Sequence, residues 1–193
     1  MPVSLEAEDW KDFTGIPANI GYSAWGNNLG RLGMIPEGGL RVMANIVTYS
    51  YLWNEIRVKG GAYGCGCSTG PAGDVICYSY RDPSPSSSLD VFRGIPDFIR
   101  RFSEGDEEMD QYIISTLASA YPLRSDRGRG HVADIDVFRG MTGEMKKKEI
   151  GQILSVKKDD MYRYAQMFDV LSASSFEAVV GPENMRPEGF SDI

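Results

Sequence analysis

Arg57 and Tyr63 stand six positions apart in the stretch YLWNEIRVKGGAYGCGC, from Tyr51 to Cys67. A guanidinium offers a rigid fork of N–H donors that suits carbonyl and carboxylate oxygens. A phenol offers one O–H donor. Between the two lies Gly60–Gly61, so the chain changes backbone direction just where these side chains sit. On residue type alone, Arg57 reads as a salt-bridge partner at a helix C-terminus and Tyr63 as a ring of the core.

Other chemically capable residues are sparse. The single histidine, His131, falls in the Gly/Arg-rich stretch RSDRGRGH and reads as a surface loop residue with no nucleophile placed beside it. No G-x-S-x-G, P-loop or G-x-G-x-x-G context occurs, and neither H-E-x-x-H nor H-x-x-E-H is present. Cys65, Cys67 and Cys77 form an odd set without a C-x-x-C pair. Positions i and i+2 on a strand suit a disulfide poorly, so they read as three small buried thiols of a reducing compartment. The set offers too few ligands for a thiolate metal site, and no metal-binding residue is assigned in this chain.

The elements that must position Arg57 and Tyr63 follow from periodicity. A strand is expected over about Asn19 to Trp25. A long helix is expected over Leu40 to Arg57, with Val42, Ile46, Tyr49, Trp53 and Ile56 on one face and Leu40, Met43, Val47 and Tyr51 on a second. A helix apolar on two sides is buried, hence central. Gly60 and Gly61 end it, and AYGCGCS then pairs with DVICYSYRD across the turn TGPAG as a hairpin. Alternation puts Tyr63, Cys65 and Cys67 on one face and Ala62, Gly64 and Gly66 on the other. That bare face admits either a ligand or the packing helix. A helix capped by Ser87 or Ser88 should be kinked or split by Pro96. EEMDQYIISTLASAY reads as a helix closed by Pro122, with further helices over Val132 to Met141, Glu144 to Leu154 and Asp159 to Leu171. SFEAVVG is a short final strand. Strands and helices in runs favour an α+β class: a two-layer sandwich with an antiparallel or mixed sheet and helices mainly on one face.

At 193 residues the chain fits a single domain. Its net charge of −7 argues against nucleic acid as a partner, and the arginines of RSDRGRGH read as solvated. EMKKKE is read as a solvated helix face. No apolar run approaches the roughly 18 residues that span a membrane, so no membrane partner is expected. MPVSLEAEDWKD has no basic region followed by an apolar core, so no signal peptide is expected there.

Two ordered blocks carry a resemblance. YLWNEIRVKGGAYGCGC and YSYRDPSPSSSLDVF closely resemble the C-terminal part of pitrilysin (insulinase) family zinc metallopeptidases, in the presequence-protease branch of peptidase family M16. The family pattern there is L-W-x-x-I-R-V-x-G-G-A-Y-G, then S-Y-R-D-P and a helix starting T-L-x-V or S-L-x-V. A looser similarity continues through GHVADIDVFRGMTGEMKKKEIGQIL and EAVVG.

The resemblance implies a domain of the LuxS and mitochondrial-processing-peptidase type, the last of four in an enzyme that closes over a peptide. It implies zinc in the parent's N-terminal domain, on an H-x-x-E-H motif and a distal glutamate, and no cofactor in this chain. By matching positions it implies Tyr63 and Arg57 as auxiliary catalytic residues reaching toward that site, with Gly60, Gly61 and Ala62 near substrate. The implied partners are a peptide and the parent's N-terminal domains, in the cytoplasm or, in a eukaryote, an organelle matrix. The isolated chain is expected to bind no stoichiometric zinc, to cleave no peptide and to self-associate through a face left bare. The other reading is a structural module similar to the family's inactive subunits.

Overall fold

A computed structural model describes residues 10–192. The N-terminal stretch where no signal peptide is expected lies largely outside the described residues. A six-stranded sheet runs in the order β3-β4-β2-β5-β1-β6. Its strands are β1 (Lys11–Gly15), β2 (Gly21–Asn28), β3 (Gly64–Thr69), β4 (Asp74–Asp82), β5 (Phe176–Gly181) and β6 (Ser191–Asp192). β1 pairs in parallel with β5 and β6, and the other pairs are antiparallel. The sheet is mixed, with the helices against one face, as the α+β expectation had it.

Along β2 and β4 the pleat alternates cleanly. Ser23 and Trp25 face inward with Val75, Cys77 and Ser79, while Tyr22, Ile76, Tyr78 and Tyr80 face outward and stay exposed. Trp25 packs against Phe92 of α2 (Pro85–Arg93) and stacks on Phe168 of α7 (Asp160–Ala173). Arg93 of α2 donates to both carboxylate oxygens of the buried Glu177 on β5 at 2.7–2.8 Å, tying the helical layer to the sheet.

The long central helix, α1, starts as an α-helix over Gly39–Ile46 and continues over Val47–Lys59 with i→i+5 hydrogen bonds. The expected span is right, and the expected faces hold through Val47 and again at Ile56 but slip between them. Beyond Ile46 the buried positions are Val47, Leu52 and Ile56, spaced by five and four instead of four and three. Tyr49, assigned to a buried face by the tighter period, is 61% exposed. Wider winding lengthens the repeat, and a 3.6-residue template loses phase along it.

Other differences have local causes. The Tyr22 strand lies at Gly21–Asn28, displaced from Asn19–Trp25, and β1 and β6 were too short to give a periodic signal. α2 starts at Pro85 after Ser84, not at Ser87 or Ser88, with the proline at the first helical position where its missing N–H costs nothing. Gly94 separates α2 from α3 (Ile95–Glu104), so the split expected near Pro96 is there. α4 covers Asp110–Ala120. α5 spans Asp126–Arg139, so all of the expected Gly/Arg loop after Ser125, His131 included, is helical. Ser125 caps it, accepting from the Gly128 N–H. α6 (Gly143–Leu154) is capped in the same way by Thr142. The helix expected over Asp159 to Leu171 is α7.

The buried hydroxyl chemistry centres on Asp82, 1% exposed at the end of β4. Its carboxylate accepts from Ser79 Oγ at 2.5 Å, Ser88 Oγ at 2.6 Å and the Ser84 N–H at 2.8 Å. Ser79 Oγ also meets Ser23 Oγ on β2 at 2.7 Å. A buried carboxylate is tolerated when its oxygens are met in this way. Ser79 and Asp82 are three apart, yet both face inward. An extra residue, Arg81, is accommodated where Gly21 pairs with Asp82 but Tyr22 pairs with Tyr80. This β-bulge resets the alternation.

Asp82→Ala strips three donors of their acceptor, two of them buried hydroxyls. The loss should be about 2–4 kcal/mol by urea denaturation. Burial pushes the Cys65 thiol from its ordinary value near 9.0 up to about 11, and the Arg57 guanidinium only partly opposes this. The folded state therefore holds that proton where the unfolded state has lost it. Stability should be full below about pH 9 and fall as pH rises through 11, more steeply than in a Cys65→Ala variant.

Candidate functional site

At its C-terminus α1 unwinds through three capping bonds. Gly60 N–H donates to Glu55 O at 3.0 Å, Gly61 N–H to Arg57 O at 3.1 Å and Ala62 N–H to Ile56 O at 3.1 Å. Gly61 sits at φ +79°, a left-handed backbone that favours glycine. A Cβ on Gly60 would stand 2.6 Å from Ile56 O, so this position too excludes a side chain. Tyr63 N–H then donates to Arg81 O at 3.2 Å, which fixes the chain to the end of β4 just before β3 begins.

Arg57, Gly61, Ala62, Tyr63, Arg81 and Ile20 line one open hollow of about 420 Å³. The expected pair is thus brought together, with Gly61 and Ala62 on the same wall. Gly60 is not among the lining residues. The Arg57 guanidinium lies over the Trp53 ring, 4.0 Å from its centroid, and that of Arg81 lies 5.2 Å from the centroid of Tyr63. Both arginines and Tyr63 are exposed. Among the described residues neither arginine has a carboxylate within salt-bridge distance, so the helix-end ion pair that residue type favoured for Arg57 is not formed.

Strand alternation misplaced Tyr63. It was assigned to the face of Cys65 and Cys67, but its ring meets that of Tyr80 edge-on at 5.7 Å, on the opposite, outward face. The reason is that β3 starts at Gly64, so the pleat does not govern Tyr63. The bare glycine face is covered neither by a helix nor by an open void. A Cβ on Gly64 would lie 2.3 Å from the Tyr80 ring, and one on Gly66 2.8 Å from the Tyr78 hydroxyl. The tyrosine rings of β4 lie flat across the two glycines. α1 packs on the cysteine side, where Thr48 Oγ1 accepts from the Cys67 N–H at 2.8 Å.

Residues 11–181 match the family described as the PreP C-terminal domain. The chain belongs to the PreP C-terminal domain family. It is 34% identical over 146 residues to the mitochondrial presequence protease of Saccharomyces cerevisiae, covering 74% of this chain and 14% of that protein. It is 29% identical over 157 residues to presequence protease 1, chloroplastic/mitochondrial, of Arabidopsis thaliana, covering 81% and 14%. Protein HypA of Clostridium perfringens is 32% identical over 165 residues, covering 86% and 17%. The chain thus spans about one sixth or less of these relatives. Pitrilysin superposes with a TM-score of 0.67 at 14% identity, over 96% of this chain and 22% of that one. A peptidase M16 inactive domain from Pseudomonas fluorescens superposes with a TM-score of 0.58 at 11% identity, over 91% and 43%. The resemblance read from the two sequence blocks therefore holds, and the fold is that of pitrilysin-like domains.

Among the described residues no three His, Cys, Asp or Glu side chains gather in a way that could hold a metal ion. His131 is exposed on α5, which has no buried residue. Sequence reasoning missed Arg81. Its signal was present in SYRDP, where the inward-facing Ser79 and Asp82 are an odd number of residues apart and one residue between them must leave the pleat. No helix among the described residues is long and apolar enough to cross a membrane.

Gly64→Ala tests the tyrosine–glycine stack. Its Cβ drives into the Tyr80 ring, so Tyr80 must swing away and release Tyr63. The expected result is a loss of about 1–3 kcal/mol with a changed near-ultraviolet tyrosine signal. An unchanged spectrum would show that Tyr80 does not order Tyr63.

Proposed function

We propose that this chain is the last of four domains of a zinc metalloendopeptidase that degrades peptides in a closed chamber. In this reading Arg57 and Tyr63 are its contribution to substrate and transition-state binding. Zinc is held by the parent's N-terminal domain, and the isolated chain is inactive. The reading rests on one observation above the others: Arg57, Gly61, Ala62 and Tyr63 line one hollow beside a sheet face that no helix of the described chain covers.

Chemically, attack on a peptide carbonyl puts negative charge on its oxygen. The exposed Tyr63 phenol is free to donate to that oxygen as the charge develops. Arg57 offers its fork of N–H groups to a neighbouring carbonyl or carboxylate of the same peptide. The parent's N-terminal domains are the proposed intramolecular partner, in the cytoplasm or in an organelle matrix. α5 is the natural face for such contact or for self-association, because Val137 and Phe138 are 80% and 90% exposed on it. The likeness to an inactive M16 domain keeps a structural module as the second reading. An H-x-x-E-H motif elsewhere in the parent favours the enzyme.

In the parent enzyme Tyr63→Phe should lower kcat about 10²-fold, with folding and zinc content unchanged. Arg57→Lys keeps the charge and loses the fork, and should also lower turnover. If Tyr63→Phe leaves kcat intact and lowers Tm instead, Tyr63 is a structural ring and the second reading stands.

A further inference from the structure

Arg81 is held where a side chain is not ordinarily placed. Its φ is +49°, the only positive value among the described non-glycine residues. A non-glycine residue in the left-handed region is strained, and such strain persists only where the surroundings enforce it. Here they do: Asp82 is anchored inward by Ser79, Ser88 and the Ser84 N–H, so the bulge turns Arg81 outward. Its guanidinium then lies over Tyr63 on the same hollow as Arg57.

The way the two arginines are held matters as much as where they are. A guanidinium stacked on a ring uses its face, and its N–H donors point outward from its edge. A guanidinium in a salt bridge spends those edge donors, as Arg93 does on Glu177 and Asp90. Arg57 and Arg81 are both of the stacked kind, and the Tyr63 phenol stands on the same wall. The backbone N–H groups of Gly61, Ala62 and Tyr63 are already bonded, so the hollow's free donors belong to side chains.

We propose that Arg81 is a second ligand-binding arginine of this hollow, and that Arg81 and Arg57 together bind a carboxylate of a peptide. Two edge-free cations with no carboxylate within salt-bridge distance among the described residues form an anion site, and on a peptide the anion is a C-terminal carboxylate or an acidic side chain. The proposal rests on the reading of the hollow as a peptide-contacting site. It is tested by equilibrium binding to this chain, which requires no turnover, so its failure is distinct from a failure of the Tyr63 role.

The experiment is an NMR titration of the 193-residue chain, following the arginine Nε–Hε signals and the Tyr63 amide. Three versions of one N-acetylated tetrapeptide serve as probes: one with uncharged side chains and a free C-terminal carboxylate, the same peptide amidated, and an amidated one carrying a single Glu. Inorganic phosphate is the fourth probe. Saturable shifts at Arg81 and Arg57 with either carboxylate-bearing peptide, and none with the neutral amide, are expected. Which of the two binds identifies the source of the carboxylate. Arg81→Gln should weaken that binding about tenfold, the loss of one charge-assisted hydrogen bond, whereas Arg101→Gln on α3 should leave it unchanged.

Arg81→Gly separates function from structure, since glycine accepts the left-handed backbone without strain. Binding should fall as in Arg81→Gln while Tm holds or rises. A fall in Tm with binding retained would make Arg81 a structural residue and overturn the proposal. So would shifts that are equal for all three peptides, shifts that phosphate alone produces, or no shift at Arg81.

Discussion

The buried carboxylate of Asp82 is the constraint on which the rest of this site depends. A carboxyl group at 1% exposure is tolerable only with its oxygens met, and Ser79, Ser88 and the Ser84 N–H meet them. Those partners come from the end of β4, the following loop and the first turns of α2, so one side chain joins sheet, loop and helix. The geometry has a consequence on the opposite face. Ser79 and Asp82 can both point inward only if the strand takes up an extra residue, and that residue is Arg81. The carbonyl of Arg81 accepts the Tyr63 N–H, and its guanidinium lies over the Tyr63 ring. An interior side chain thereby fixes two residues of an exterior hollow.

A second constraint comes from the glycines of GCGC. On most strands a glycine weakens the sheet, because it packs nothing and costs entropy. Here the missing side chains make room for the rings of Tyr78 and Tyr80, which lie across β3 and cover its backbone. Tyr63 extends the row beyond the strand end, edge-on to Tyr80. The cysteines between the glycines face the opposite way, into the core beneath α1. One short strand thus serves two unlike surfaces, a dry helical side and an aromatic outer side.

The broad architecture was legible in the sequence because its signals are long. The span of α1, the β3–β4 hairpin across TGPAG and the break between α2 and α3 all rest on patterns of many residues or on glycine and proline. What escaped was phase and exception. The i→i+5 winding after Ile46 turned Tyr49 outward, and no residue type announces such winding. β1 and β6 are too short for a periodic signal and are recruited by β5 and by each other. Tyr63 was placed by a pleat that begins one residue later. Arg81 was passed over because a bulge is a relation between two strands, visible only when the buried Ser79 and Asp82 are counted against their partner. Arg57 was found by motif; its stacking on Trp53, four residues earlier, is an ordinary helical i,i+4 contact that was passed over because Trp53 was assigned to the buried face.

The arginines of this acidic chain divide by what they do with their edges. Arg41, Arg93, Arg100, Arg163 and Arg186 each meet a carboxylate. In those pairs the fork is consumed, and the residue knits one element to another or braces its own turn. Arg163 and Arg186 also lie over rings, those of Tyr164 and Phe13, while Arg57, Arg81 and Arg31 rest on Trp53, Tyr63 and Phe176 with no carboxylate within salt-bridge distance among the described residues. Of these three, Arg57 and Arg81 share one hollow. Stacking orients a guanidinium without using its hydrogen bonds. That two aromatic rings hold Arg57 and Arg81, on one hollow beside the open sheet face, is the physical ground for reading this end of the domain as a surface made to meet something other than itself.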